Sequence, residues 1–220
     1  MKILVIACSV MKDELKALSP AGVQLEFMDI ALHRTPLTMP HRIQEKIHQA
    51  DSGIDYIVLG YGLCGNGVLG VRAEKQPLVV PLAHDCIGIF LGSSRARHRE
   101  QDKAPGTYYL TRGWIDEGIN PLALLDEYTQ RYGREKAEWS IDEEFRNYNR
   151  LALLDTGIGD LSGYRKCARA NAAFLKADYE EIRGSSDLLE KLVSGAWDKD
   201  NFVVFPPGEE ITQRAFWSLL

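Results

Sequence analysis

Short apolar runs alternate with stretches of helical spacing along the whole chain. Residues 2–9 (KILVIACS) form a β-rich run followed by a helical stretch over 11–18. VQLEFMDI (23–30) predicts a second strand, and MPHRIQEKIHQA (39–50) a helix with Pro40 in its first turn, where a missing N–H is harmless. DYIVLGYG (55–62) predicts a third strand, VLGVRAEK (68–75) a short helix, PLVVPLA (77–83) a fourth strand and CIGIFLGSSRARHREQ (86–101) another helix. The strands are almost continuously apolar, as strands covered on both faces are, so their alternation with helices predicts an α/β protein built on parallel sheet.

The second half repeats the plan. After TYYLTRGW (107–114) and two charged helical stretches, NRLALLDTGIGD (149–160) predicts a strand with a glycine-bearing turn and LSGYRKCARANAAFLKA (161–177) a helix. DYEEIRG (178–184) predicts a strand, DLLEKLVSG (187–195) a helix capped by Ser185, Ser186 or Asp187, and NFVVFPPGE (201–209) a strand stopped by Pro206 and Pro207. The expected architecture is two Rossmann-like lobes with parallel sheets and a cleft between them, the N-terminal lobe over 1–108 and the C-terminal lobe over 109–220. One continuous, doubly wound, mainly parallel sheet fits the same pattern and stands as the alternative.

Composition narrows the function classes. The chain has 220 residues, 45% hydrophobic and 26% charged, enough for one large domain or two small ones, and a formal charge of −5. It has no basic stripe with interleaved aromatics, which argues against nucleic acid as a partner. The apolar stretch before Cys8 is shorter than the roughly 7–15 residues of a signal segment, and no apolar run reaches the about 20 residues of a membrane span. A cytoplasmic location is expected, in which Cys8, Cys64, Cys86 and Cys167 are thiols or ligands rather than disulfides.

In open parallel sheets the ligand lies beyond the carboxyl ends of the strands. The first expected strand ends at Ala7-Cys8-Ser9, the second near Asp29, the third at Gly62-Leu63-Cys64-Gly65-Asn66-Gly67 and the fourth at Ala83-His84-Asp85-Cys86. Three of the four cysteines and one histidine therefore fall on one edge. Zinc takes thiolate and imidazole ligands, and Cys64, His84 and Cys86 make a three-ligand set that leaves a position open; Cys8 as a fourth ligand closes the shell and gives a structural site. Iron or an iron–sulfur cluster accepts similar donors. Without a metal, the helix starts at Cys64 and Cys86 are expected to lower the thiol pKa and give reactive cysteines.

The glycines of GYGLCGNGVLG match neither G-x-G-x-x-G in register nor a phosphate loop; they make room around Cys64 or build a tight turn. Substrate-facing candidates are Gly62, Gly65, Asn66 and Asp85, with Asp155 and Thr156 at the corresponding strand end of the second half and Trp114 after Thr111-Arg112-Gly113. Plainer roles exist for each. A lone cysteine usually packs, as Cys167 is expected to do; Asp155 also suits a helix cap, Trp114 also suits a core, and His33, His41, His48 and His98 read as surface residues.

Taken together, the strand ending in Ala7-Cys8, YGLCGNG at 61–67, HDC at 84–86 followed by LGS, TRGW at 111–114, and LLDTG at 153–157 before a tyrosine-bearing helix resemble the prokaryotic family catalogued as domain of unknown function 1638. The resemblance covers nearly the whole chain. It implies retention of Cys8, Cys64, His84, Cys86 and, more loosely, Asp155, and an association with anaerobes and with corrinoid-dependent methyltransferase genes; it implies no settled activity. The His-x-Cys pair with a distant cysteine is also similar to the zinc set of methylcobalamin:thiol methyltransferases, which are larger barrels, so only local chemistry is implied.

Two functions are then expected. In the first, the protein is a zinc enzyme that activates a small-molecule thiol for methyl or alkyl transfer in corrinoid-linked one-carbon metabolism, acting on a thiol or methylated substrate, with a corrinoid protein as a partner. In the second, it delivers, stores or senses a metal, tetrapyrrole or small metabolite held between two lobes, without turnover.

Overall fold

The structure is a computed structural model and describes residues 1–219. In chain order it forms β1 (Ile3–Cys8), α1 (Lys12–Leu18), β2 (Gln24–Met28), α2 (Met39–His48), β3 (Tyr56–Gly60), β4 (Leu78–Pro81), α3 (Cys86–Phe90) and α4 (Ser94–Lys103). There follow β5 (Thr107–Leu110), α5 (Arg112–Asp116), α6 (Pro121–Tyr132), α7 (Arg134–Phe145), β6 (Arg150–Asp155), α8 (Ser162–Leu175), β7 (Asp178–Arg183), α9 (Asp187–Ser194) and β8 (Phe202–Phe205). Two sheets result, one of five strands in the order β2-β1-β3-β4-β8 and one of three in the order β5-β6-β7. The fold is α/β with two lobes, and the single continuous sheet is not formed.

The division of the chain differs from the expected one at 108/109. One compact unit comprises Met1–Arg97 together with the segment from Ser185 onward, and the other comprises His98–Gly184. The second unit is thus an insertion, and the last helix and strand return to the first. β8 pairs with β4 in the antiparallel sense, Val204 opposite Val79, so the first sheet is mixed rather than parallel. Its helix α9 buries Leu188, Leu189, Leu192 and Val193, and α9 packs against α1, α3, β1 and β3. An apolar strand pattern carries no direction, which is why NFVVF read as a further parallel strand.

All six residues of β1 are buried, because it lies between β2 and β3 with both faces covered. The three strands β1, β3 and β4 are neighbours and run parallel, so their carboxyl ends share one edge. A side chain at Gly60 would stand 2.4 Å from the Ala7 methyl, which explains the glycine where β3 crosses β1. Residues 68–75 do not form the expected helix. They make turns pinned by the C-terminal segment, with the Gly70 N–H donating to the Ile211 carbonyl at 2.9 Å and the Ala73 N–H to that of Glu209 at 2.8 Å. The expected helix over 86–101 is broken at Gly92, whose φ of +82° ends α3. β5 stops at Leu110, because the Thr111 hydroxyl accepts from the Trp114 N–H and caps α5.

In the second unit Leu110, Leu151 and Leu153 of the sheet pack against Ala168 and Ala172 of α8. Leu124, Leu125, Ala137, Ile141 and Phe145 close a second cluster between α6 and α7. No helix among the described residues is long and apolar enough to cross a membrane.

Candidate functional site: a buried thiol cluster

The site is assembled by continuing the strand ladder past the strands themselves. Beyond β3 and β4 the two loops still pair, with the Leu63 N–H donating to the Ala83 carbonyl at 2.8 Å and the Cys64 N–H to the His84 carbonyl at 2.9 Å. Gly62 makes this approach possible, since a Cβ there would lie 2.7 Å from the Ala83 carbonyl oxygen and 2.8 Å from the Asp85 nitrogen. Gly67 likewise leaves room for the Met39 sulfur. Of the two readings of these glycines, close approach around Cys64 accounts for positions 62 and 67.

This pairing brings Cys64 beside Cys86, and the β1 end adds Cys8. All four cysteines of the chain are thiols. Cys8 is 1% and Cys86 5% exposed, so neither is a surface nucleophile. Cys64 is half-buried as a residue, while protein surrounds its thiol. Burial first, then charge on Cys8 and Asp85, pushes the Cys64 thiol up to about 12 against the backbone N–H groups of Gly62 and Cys86. The Cys86 thiol is raised well above its ordinary value, first by burial and then by Cys64, Asp85 and Cys8. Three sulfurs from three separate strand ends are thus within electrostatic reach of one another.

These directions correct one expectation. No helix starts at Cys64, and at Cys86, the first residue of α3, desolvation and the neighbouring charges outweigh the helix dipole; at neutral pH both are thiols. Cys64 also carries a φ of +46°, within a left-handed run that continues through Gly65 and Asn66 at +63° and +72°. For a residue with a side chain this conformation costs about 1–3 kcal/mol. The bond from the Cys64 N–H to the His84 carbonyl holds the residue in this conformation.

Tyr61 is the residue that sequence reasoning missed. It directly follows Gly60, which pairs with Ala7, so Tyr61 stands level with Cys8 on the neighbouring strand. Its ring is 1% exposed, and burial, followed by Cys8, Cys64, Cys86 and Asp29, raises the pKa of its phenol. The signal was present in that YGLC follows an apolar strand, but strand pairing alone puts Tyr61 beside Cys8. His33, expected on the surface, stacks on this ring with centroids 6.4 Å apart and planes at 26°. Burial lowers the His33 pKa, opposed by the hydrogen bond to the Ile30 carbonyl, so the imidazole is neutral at physiological pH.

The other expected site residues have assigned roles. The Asp85 carboxylate accepts from the Gly88 N–H at 2.9 Å, capping α3, and from Arg97 Nε at 3.1 Å. His84 is half-buried and contributes its carbonyl to the loop pairing. Gly65 and Asn66 lie exposed in the turn next to Cys64. Asp155, Thr156 and Trp114 belong to the second unit. There Asp155 accepts from the Gly157 N–H at 2.8 Å, a local turn bond, and Trp114 packs against the core cluster of Leu110 and Leu153. Cys167 is half-buried on α8, its sulfur 3.5 Å from the Asn171 amide. Among the described residues no three His, Cys, Asp or Glu side chains stand as a ready-made metal cage. The donor set nonetheless has the chemistry of a soft ion's site, three thiols and a buried hydroxyl at one edge.

Comparison with known proteins adds one match. The family model described as a protein of unknown function, DUF1638, covers residues 27–193, which include Cys64, His84, Cys86 and Asp155 and leave Cys8 outside. No curated protein and no solved structure matches the chain.

Proposed function

The chain belongs to the DUF1638 family, and because that family's description assigns no activity, we propose from this chain's own residues that it binds a soft metal ion, zinc in the first instance, through Cys8, Cys64 and Cys86. The observation that carries this reading is that thiols at the end of β1 and just beyond β3 and β4 share one sheet edge within electrostatic reach, Cys8 raising the pKa of Cys64 and both raising that of Cys86. As neutral thiols they are ordinary apolar fillers; a soft cation replaces their protons and turns repulsion into ligation. His84, beside them in sequence, is the nitrogen donor in reserve.

Zinc held by Cys8, Cys64 and Cys86 would leave a fourth position and would supply the Lewis acidity that makes a small thiol nucleophilic at neutral pH, the chemistry that a methyl or alkyl transfer requires. A corrinoid protein is the methyl donor this enzyme reading would use. The protein's own share is to exclude water and to hold the loop of Cys64 against that of Cys86. A non-catalytic role in delivery or storage is favoured by the depth of Cys8 and Cys86, both nearly sealed from solvent.

The test is anaerobic purification with elemental analysis of the wild type and of Cys8→Ala, Cys64→Ala and Cys86→Ala. One soft metal ion per chain in the wild type and its loss in each variant are expected. Metal content unchanged in all three variants overturns the proposal.

A further inference from the structure

Buried hydroxyls without partners are rare, because water rewards them and hydrocarbon does not. The first unit has two of them flanking Cys8. Ser9 Oγ, the next residue along the chain, and Tyr61 Oη, on the adjacent strand, find no hydrogen-bond partner among the described residues. A phenylalanine at 61 would fill the same space without stranding a polar atom. Nor can the hydroxyl readily turn away: the ring is fully buried and stacked by His33, and Gly60 is locked against Ala7 in the ladder.

We infer that the Tyr61 hydroxyl belongs to the ligand site and donates a hydrogen bond to a thiolate sulfur of the occupied cluster. This rests on the soft-metal reading above and deepens it. The occupied site is expected to carry at least one sulfur with lone pairs left over from metal bonding, either from a cysteine or from a small thiol at the open position. A neutral thiol is only a weak acceptor. A metal-bound thiolate is a charged acceptor and takes the bond. Tyr61 is thus a positioning residue that favours the occupied state over the empty one.

The experiment compares wild type, Tyr61→Phe and Cys64→Ala by thermal unfolding with and without Zn2+, and by anaerobic Co2+ titration followed through the sulfur-to-cobalt absorption band. Tyr61→Phe without metal is expected to melt at or above the wild type, since it loses only an unpaired hydroxyl. With metal its gain in Tm shrinks, its Co2+ affinity falls about tenfold, as for other residues that support a metal ligand, and its charge-transfer band shifts. A Tyr61→Phe protein that keeps the wild-type affinity and band, or that melts well below the wild type without metal, overturns the inference. Cys64→Ala separates the two claims. If it binds Co2+ as the wild type does, or if the wild type binds neither ion, the soft-metal reading itself fails and takes this inference with it; if Cys64→Ala loses Co2+ while Tyr61→Phe is unchanged, only the role of Tyr61 falls.

Discussion

In the second unit the polar groups near the strand ends are engaged with one another. Asp155 holds the Gly157 N–H at 2.8 Å, Arg112 donates to the Ile158 carbonyl at 2.7 Å, and the Tyr164 hydroxyl donates to Asp116 at 3.0 Å. Deeper in that unit Arg150, 7% exposed, bonds Thr107 at 2.7 Å, Glu100 at 2.9 Å and Glu180 at 2.5 Å. In the first unit the corresponding edge carries three thiols, and beside them the hydroxyls of Ser9 and Tyr61, which find no hydrogen-bond partner among the described residues. Both units are built around parallel strands, three in the second and four in the first, where β8 adds an antiparallel edge. The second unit engages its strand-end carboxylates within its own fold, whereas the first leaves the hydroxyls of Ser9 and Tyr61 buried beside its thiols.

The sharpest way to separate the two is Arg150→Ala. It removes the buried guanidinium shared by Glu100 and Glu180 and leaves the Thr107 hydroxyl without its donor; because both carboxylates are partly exposed and Glu180 keeps Lys103, a loss of about 1–3 kcal/mol is expected. Hydrogen exchange should rise in β5, β6 and β7 while iodoacetamide still fails to reach Cys8 and Cys86 under native conditions. Alkylation of those thiols on the same timescale as the loosening of β6 would break the comparison.

A comparable effect is expected from Gly62→Ala. The added methyl meets the Ala83 carbonyl and the Asp85 nitrogen, both backbone, so the two loops must part, at about 2 kcal/mol. Here the signature reverses, with Cys64 and Cys86 becoming open to alkylation and metal affinity falling, while β5 to β7 keep their protection. Unchanged alkylation would show that the loop pairing does not set the thiol geometry.

The mildest contrast comes from pH. An unfolded Cys64 ionises near 9 and the folded one only at about 12, so its contribution is complete below pH 9 and is lost as pH rises toward 12. Glu180 runs the other way. Hydrogen bonds from Lys103 and then Arg150 hold it below its ordinary 4.5, so its contribution is present above that value and is lost as pH falls beneath it. Urea unfolding should therefore show an alkaline loss that shrinks in Cys64→Ala and an acid loss that shrinks in Glu180→Gln. Equal slopes in wild type and variant at either end would remove the corresponding assignment.

Much of the first unit was legible because a strand's end is a local property. The apolar run of 77–83 stops at His84 whatever surrounds it, and the same holds at Cys8 and near Gly62, so three cysteines could be placed on one edge before any pairing was known. The pH behaviour of those cysteines was not legible. Helix starts suggested lowered pKa values, and burial, which depends on every neighbour, reversed the direction. His33 lies in a segment of polar and basic residues and so read as surface; its stacking on Tyr61 comes from how the 3-10 turn of Ile30–Arg34 lies after β2.

By itself, then, the sequence determined the α/β class and the positions of most strands, since these follow from short-range periodicity, whereas the caps at Asp85 and Thr111 emerged only in the structure. Only the tertiary structure decided that 98–184 is an insertion, that β8 returns antiparallel to β4, and that Tyr61 stands level with Cys8. Those outcomes depend on which distant strands pair and in what register. That choice is set by burial summed over the whole sheet and by closure of long loops, neither of which leaves a mark on any one stretch of chain.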